Sequence, residues 1–210
     1  ALIAIKEKNW KIGDVQQMAF TIKAATQSKY VNQVIVSTND KEVMKIAKSL
    51  GAECPFVRSD NLTNEYISLD TVYKDALQNM EELNIYPDLV VTLEETFPFR
   101  EAGLIDEIIM HTLNGGYDTV IAAKRESGSL WQESSEGNFS RIDSGDIPRL
   151  YKEKSFIGLQ GLSCVTHPES LRQENLIGNK VGLFEVHSPL ASFEVRSDHD
   201  RKIAHQLLIK

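Results

Sequence analysis

The stretch "LVVTLEETFPFR", residues 89–100, indicates the fold of this chain. A short apolar run at residues 89–91 leads directly into two acids, a proline between two phenylalanines, and Arg100. Continuous short runs of apolar, β-branched residues are typical of parallel strands that are covered on both faces. Because ligands of open α/β sheets bind at the carboxyl ends of the strands, the charged residues that follow indicate a binding site, with a plain strand-to-helix turn as the alternative.

Similar apolar runs alternate with helical periodicity along the chain. Further strands are predicted at residues 2–5, 34–36, 120–123, 181–186 and 192–195, and helices at residues 18–25, 43–50, 69–80, 104–113 and 198–208. Strands separated by helices form βαβ units with right-handed crossovers. The sequence therefore predicts one α/β domain, residues 1–210, with helices on both faces of a mostly parallel sheet. Residues 126–165 depart from this pattern and predict a β-rich arm that leaves the sheet and returns to it.

The composition excludes several classes of protein. A net charge of −7 repels phosphate backbones and argues against a nucleic-acid partner, while a small anionic ligand remains compatible with local cations. Cys54 and Cys164 show no metal or disulfide spacing, which fits a reducing, cytoplasmic compartment. No apolar run is long enough to predict a membrane span. The glycine-rich motifs of dinucleotide and P-loop proteins, the GxSxG elbow and HExxH are all absent.

Five ordered motifs identify a resemblance to a known family. They are "AFTIKAA" at 19–25, "VIVSTND" at 34–40, "GAECPFVR" at 51–58, "DIPRLYKEKSFIGL" at 146–159 and "FEVRSDHD" at 193–200. Together with "LEETFPFR" at 93–100, they resemble the cytidylyltransferases that activate acidic sugars such as sialic, legionaminic or pseudaminic acid. The resemblance implies a three-layer α/β/α, nucleotide-diphospho-sugar transferase-like (Rossmann-like) fold.

The resemblance also implies an activity and its partners. CMP would be transferred from CTP to an acidic, nonulosonic or sialic-type sugar with release of pyrophosphate, in surface polysaccharide or glycan biosynthesis. Mg²⁺ would be the cofactor. Family members pair through the arm, so a homodimer is expected, and the arm has apolar side chains that it could not bury alone: Trp131, Phe139, Leu150, Phe156, Leu159 and Leu162. The alternatives are a catalytically degenerate, dimeric nucleotide- or sugar-binding member of the same fold, or a relative that uses another nucleotide.

Site residues follow from the matching motif positions. The expected nucleotide-binding residues are Lys6, Lys8, Asn9, Ser37, Asp40 and Thr96. The expected substrate-binding residues are Arg58, Ser68, Arg100, Tyr151 and Gln160, with Arg100 and Lys6 also assigned to catalysis. The expected metal ligands are Glu194 and Asp200. Three kinds of departure accompany these matches. The Gly-Gly-Ser-Lys core of the family's first loop is absent, and Arg196 stands at the second metal-ligating position. In the loop at 93–100, the departures are Glu94, Glu95 and Phe97.

Several of these residues also have an ordinary structural interpretation. Asp40 and Ser68 are well placed to cap the helices that follow them, and Arg58 could be a surface arginine. Acidic residues at 198 and 200 stabilise a helix N-terminus, which is the preferred interpretation of both. Tyr151 and Gln160 are equally compatible with a subunit interface.

Overall fold

A computed structural model describes residues 1–5, 10–64, 66–148 and 150–209. The elements in chain order are β1 (Leu2–Ala4), β2 (Lys11–Ile12), β3 (Val15–Gln16), α1 (Gln17–Thr26), β4 (Ile35–Ser37), α2 (Lys41–Ser49), a 3₁₀ turn (Asp60–Thr63), α3 (Leu69–Glu82), β5 (Val90–Leu93), α4 (Leu104–Gly115), β6 (Thr119–Glu126), β7 (Trp131–Glu133), β8 (Phe139–Arg141), β9 (Ser155–Gly158), β10 (Cys164–Thr166), α5 (Pro168–Arg172), β11 (Val181–Glu185) and α6 (Asp198–Leu208).

The central sheet has seven strands in the order β11-β6-β10-β5-β1-β4, with β9 pairing to β6 outside this path. Strands β4, β1, β5, β6 and β11 run in one direction, while β10 and β9 run against them. The prediction of an α/β fold with a mostly parallel sheet is therefore confirmed.

Two apolar clusters cover the two faces of the sheet. Neighbouring residues of one strand belong to opposite clusters, as Ile3 and Leu2 do in β1, because successive side chains of a strand point to opposite faces. The first cluster includes side chains of α1, α2 and α4, and the second includes side chains of α3 and α5. Helices on both faces account for the continuously apolar strands and give three layers.

The arm differs in extent from the prediction. Strands β7 and β8 form a separate two-stranded hairpin, but β9 pairs with β6 and β10 lies between β5 and β6. Leu159 and Leu162 are consequently part of the core, and their assignment to an exposed arm surface is wrong. Apolar residues occur at these two positions because the chain re-enters the central sheet there.

The predicted strand at residues 192–195 is also wrong. This segment forms a turn in which the Phe193 amide donates to the Leu190 carbonyl, and it has one backbone bond to the strand-end loop, from the Val195 amide to the Thr96 carbonyl. Its apolar residues pack without a ladder partner. Within the described residues, no helix has the length and apolar content needed to cross a membrane.

Candidate active site

A cleft of about 690 Å³ opens beside the carboxyl end of β5. Its lining includes charged and polar side chains from four separate parts of the chain: Glu94 after β5, Lys124 in β6, Gln160 after β9, and Glu194 and Arg196 before α6. In open α/β sheets this end of the strands is the usual ligand-binding edge. The location agrees with the one expected from the stretch at 89–100.

The loop that follows β5 is fixed by Arg100. Its five N–H donors reach five acceptors: the carbonyls of Leu162, Phe97, Glu94 and Gly161 and the hydroxyl of Thr21, at 2.6–2.7 Å. Burial lowers the pKa of Arg100 to about 9, with the nearby Glu94 charge acting in the opposite direction, so the guanidinium stays protonated at neutral pH. Arg100 therefore joins the β5 loop, α1 and the 161–162 turn. All five of its N–H groups are used within the protein, and its role in substrate binding and catalysis stays a prediction.

Glu94 is placed by a glycine. A Cβ added to Gly161 would lie 2.7 Å from the Glu94 carboxyl carbon and 2.9 Å from Phe97 Cε2. The Glu94 amide also donates to the Gly161 carbonyl at 2.8 Å. The absence of a side chain at 161 therefore lets the Glu94 carboxylate lie against the turn that lines the cleft.

Two carboxylates of the cleft share one guanidinium. Arg196 Nε donates to Glu194 Oε1 at 2.6 Å, and Arg196 Nη2 lies 3.3 Å from Glu94 Oε2. Thr96 Oγ1 lies 3.4 Å from the same Glu194 oxygen. Thr96, predicted to bind nucleotide, is thus placed beside the predicted metal ligand Glu194.

The pKa values of this cluster reflect burial and charge. Burial raises the pKa of Glu94, partly offset by the Arg196 charge, while the Glu194 charge raises it further. Burial alone would lower the pKa of Arg196, but the hydrogen bonds and negative charges of Glu194 and Glu94 raise this pKa overall. The guanidinium therefore remains charged between the two acids.

A second group of predicted residues lies at the ends of β1 and β4. Arg58 is buried, not at the surface, and donates to the carbonyls of Ile5 and Ser37 at 2.7 and 3.3 Å. Arg58 Nε and Ser37 Oγ are buried without a hydrogen-bond partner in the described part of the chain. Lys6, Lys8 and Asn9, which follow β1 in the sequence, fall outside the described residues, so their predicted roles stay predictions.

The helix-capping interpretations are confirmed for three residues. Asp40 accepts from the amides of Glu42 and Val43 at the start of α2, and Ser68 accepts from the Thr71 amide at the start of α3. Asp200 forms a capping box with Ser197 at the start of α6. A cap does not test a ligand-binding role, so the predicted roles of Asp40 and Ser68 stay predictions.

The remaining predicted residues are separated. Gln160 lines the cleft, whereas Tyr151 is exposed on the segment between β8 and β9. Neither Glu94 nor Lys124 was predicted as a site residue. Glu94 was visible as a departure in the family-like loop, and Lys124 directly follows the predicted strand at 120–123. Their positions beside the strand ends were the available signal.

The predicted Mg²⁺ ligands do not form a metal site with one another. Asp200 Oδ2 accepts from Ser197 Oγ and from the amides of Arg196 and Ser197. Glu194 is paired with Arg196. Among the residues that the structure describes, no group of three or more His, Cys, Asp and Glu side chains could hold a metal ion. Glu194 and Asp200 therefore do not fit a resident Mg²⁺.

Comparison with solved structures gives the class of fold. The chain superposes on a CMP:2-keto-3-deoxy-manno-octonic acid synthetase complexed with CTP with a TM-score of 0.70, covering 99% of this chain and 97% of that one at 13% identity. At this identity the likeness establishes the fold.

The family follows from the sequence. The family model described as cytidylyltransferase matches residues 5–161, and the chain therefore belongs to the cytidylyltransferase family. It is 27% identical to post-translational flagellin modification protein B of Campylobacter coli, over 97% of this chain and 89% of that protein. It is 26% identical to CMP-N,N'-diacetyllegionaminic acid synthase of Campylobacter jejuni subsp. jejuni serotype O:2, again over 97% and 89%.

Proposed function

We propose that this chain transfers CMP from CTP to an acidic, nonulosonic-type sugar and releases pyrophosphate. The observation that carries the proposal is the charged cleft at the carboxyl end of β5 in a chain of the cytidylyltransferase family. One of the two relatives described above supports the sugar class, since it is named as a CMP-N,N'-diacetyllegionaminic acid synthase. Synthesis of a surface glycan is the proposed setting.

The chemistry requires one bond to form and one to break. The anomeric hydroxyl oxygen of the sugar bonds to the α-phosphorus of CTP, the bond from that phosphorus to the β-phosphate oxygen breaks, and the hydroxyl loses its proton. Glu94 and Glu194 are carboxylates of the cleft that can receive the proton. Lys124 and Arg196 are cations that can face a phosphate or the sugar carboxylate.

Both substrates are anionic, but the cleft lining is balanced. The cations Lys124 and Arg196 face the anions Glu94 and Glu194, so their formal charges sum to zero. Further positive charge is needed for the triphosphate. We assign it to Lys6 and Lys8, which follow β1, and to Mg²⁺ that arrives with CTP, because phosphate oxygens are hard ligands that magnesium prefers.

The test is pyrophosphate release with CTP and a panel of sialic, legionaminic and pseudaminic acids. Lys124→Ala is expected to lower kcat/KM about ten- to a hundredfold, because one charge-assisted contact contributes about 1.5–3 kcal/mol. Lys74→Ala, which removes a surface lysine paired with Glu174, is the matched control and should leave the rate unchanged. Absence of pyrophosphate release with every sugar, from folded protein, would contradict the proposal.

A second candidate is a binding protein of the same fold without turnover. Two observations favour it: Arg196 lies between the cleft carboxylates, and Arg100 uses its donors within the protein. Such a protein would be stabilised by CTP or by the sugar in a melting experiment while releasing no pyrophosphate. Pyrophosphate release at catalytic rates rejects this candidate.

We further propose that the protein is a homodimer that pairs through the β7–β8 arm and functions in the cytoplasm. Trp131, Phe139, Leu150 and Tyr151 are 58%, 68%, 86% and 72% exposed, which is a large apolar surface for one arm. The free cysteines Cys54 and Cys164 fit a reducing compartment.

Light scattering tests the dimer. Native protein should have the mass of two chains at micromolar concentration, and Phe139→Asp should shift it to one chain, because the charge enters the apolar arm surface. Tyr66→Asp, at an aromatic residue outside the arm that is even more exposed than Phe139, should leave the mass unchanged. A native monomer would contradict the dimer proposal without affecting the proposed reaction.

A further inference from the structure

The charged cluster of the cleft disagrees with the metal that the family resemblance implies. Glu94 and Glu194 come from distant parts of the sequence and approach the same guanidinium, at 3.3 and 2.6 Å. A divalent cation that is held by protein carboxylates needs oxygen atoms that are free to coordinate it. Here Glu194 Oε1 and Glu94 Oε2 both face a nitrogen of Arg196.

We propose that Arg196 is a built-in cation that occupies the space between Glu94 and Glu194, so that this cleft holds no divalent cation until a nucleotide brings one. The inference rests on the proposed function in taking this cleft as the site of CMP transfer. It assigns the resident positive charge of the site to the chain itself.

The backbone at Arg196 is held from several sides, while its side chain is 61% exposed. Its amide donates to Asp200 Oδ2 at 3.1 Å, and the neighbouring Val195 amide donates to the Thr96 carbonyl at 2.7 Å. The buried Gln17 side chain donates to the Val195 carbonyl at 2.9 Å. The backbone beneath the guanidinium is therefore held against the β5 loop, and the side chain has two anionic partners within reach.

Two like charges in a partly buried cleft require a cation. Glu94 is four-fifths covered, with 19% of its side chain exposed, so its charge is poorly solvated. Arg196 supplies one positive charge to both acids, and its planar guanidinium is suited to bridging carboxylates. A metal ion at the same place would meet that positive charge at short range and be repelled.

Removing the guanidinium should therefore create a metal site. Two carboxylate oxygens would then face the vacated space, Glu94 Oε2 and Glu194 Oε1, and Thr96 Oγ1 lies 3.4 Å from the latter. Two carboxylates and a hydroxyl are hard ligands of the kind that Mg²⁺ and Mn²⁺ accept, with water completing the shell.

The test is direct Mn²⁺ binding without nucleotide, measured from the loss of the free Mn²⁺ signal in electron paramagnetic resonance. Native protein is expected to bind Mn²⁺ at the cleft at least about tenfold more weakly than Arg196→Ala, because a unit charge at contact distance is removed. Arg196→Lys keeps the charge and should resemble native protein. Arg196→Ala combined with Glu194→Gln should lose the gained site, which locates it.

Arg172 provides a matched control. It also bridges two glutamates, Glu81 and Glu169, at 2.7 and 3.0 Å, but on the outer surface of α5 and α3. Because Glu169 is 67% exposed, Arg172→Ala should create no comparable Mn²⁺ site. Melting curves of each variant establish that it is folded before Mn²⁺ is added.

The outcomes separate this inference from the proposed function. Tight Mn²⁺ binding by native protein that is lost in Glu194→Gln, or no gain in folded Arg196→Ala, would overturn the inference. Pyrophosphate release from CTP is measured on the same preparations. If native protein releases no pyrophosphate but Arg196→Ala gains Mn²⁺ binding, the proposed reaction alone is contradicted. If native protein is active and also binds Mn²⁺ at Glu194 without nucleotide, the inference about Arg196 alone is contradicted.

Discussion

Replacing Arg100 by alanine should destabilise the protein before it affects any ligand. The guanidinium is buried and donates to five acceptors. After its removal the Glu94 carbonyl still accepts from Thr21 Oγ1, and the Gly161 carbonyl still accepts from the Glu94 amide. The carbonyls of Phe97 and Leu162 lose the donor described for them. The loop that carries Glu94 and Thr96 is thereby released.

The magnitude follows from those two carbonyls. A buried acceptor left without a partner costs about 1–3 kcal/mol, so two cost about 2–6 kcal/mol. Partial entry of water lowers the upper figure, and we expect Arg100→Ala to reduce the free energy of unfolding by about 2–5 kcal/mol, a large share of the total stability of a domain. Arg100→Lys, with a compact group of three donors, should lose less because it can still reach some of the carbonyls.

Urea unfolding measures the effect from the midpoint at constant slope. Arg172→Ala, at an arginine that is 41% exposed, serves as the control and should change stability by less than about 1 kcal/mol. A stability change below about 1 kcal/mol for Arg100→Ala, combined with loss of pyrophosphate release, would refute the structural role and restore Arg100 as a ligand-binding residue.

Three further predictions concern the nucleotide, the cleft turn and the last helix. CTP with Mg²⁺ should raise the melting temperature more than ATP or GTP with Mg²⁺, because the site is proposed to bind CTP. A ligand at a hundredfold excess over its Kd stabilises the native state by about 2.7 kcal/mol, and equal shifts with all three nucleotides would indicate binding without base recognition. Gly161→Ala should lower the free energy of unfolding in urea by about 1–3 kcal/mol, because the added Cβ would meet Glu94 and Phe97. In the control Gly158→Ala the nearest contact of the added Cβ is an ordinary 3.7 Å. Equal losses in the two variants would contradict this. Hydrogen bonds from the Ser197 side chain and from backbone amides lower the pKa of Asp200, so its stabilisation is fully present above the ordinary Asp value of about 3.9 and is lost as the pH falls through the lowered value. The difference in unfolding free energy between native protein and Asp200→Asn should therefore shrink in acid, and a constant difference down to about pH 2 would contradict the assignment.

The central strands could be predicted because a strand that is buried on both faces requires a short, continuous run of apolar residues. β1, β4, β5 and β6 are covered on both faces, which selects short apolar runs at 2–5, 34–36, 89–91 and 120–123. The segment at 192–195, Ser-Phe-Glu-Val, alternates polar and apolar residues as a strand can, but it packs as a turn, and no strand among the described residues pairs with it. Leu113 completes the apolar periodicity of the predicted helix at 104–113, but it is 55% exposed at the last turn of α4.

The candidate site was less predictable because its contacts join distant segments. The position of Arg100 after a strand was visible in the sequence, but its acceptors at residues 21, 161 and 162 come together only in the fold. The same holds for Glu94 and Arg196, which are 102 residues apart in sequence. Local patterns did predict the caps at Asp40, Ser68 and Asp200, because a helix cap depends on residues only two to four positions away.

The proposed CMP transfer is tested most directly by mass spectrometry of the product formed from CTP, Mg²⁺ and each acidic sugar. We expect a CMP-sugar with one of the nonulosonic acids, formed in an amount equal to the pyrophosphate released. Its yield should fall in Lys124→Ala but not in Lys74→Ala. Detection of unchanged CTP and sugar with every member of the panel, using folded native protein, would contradict it.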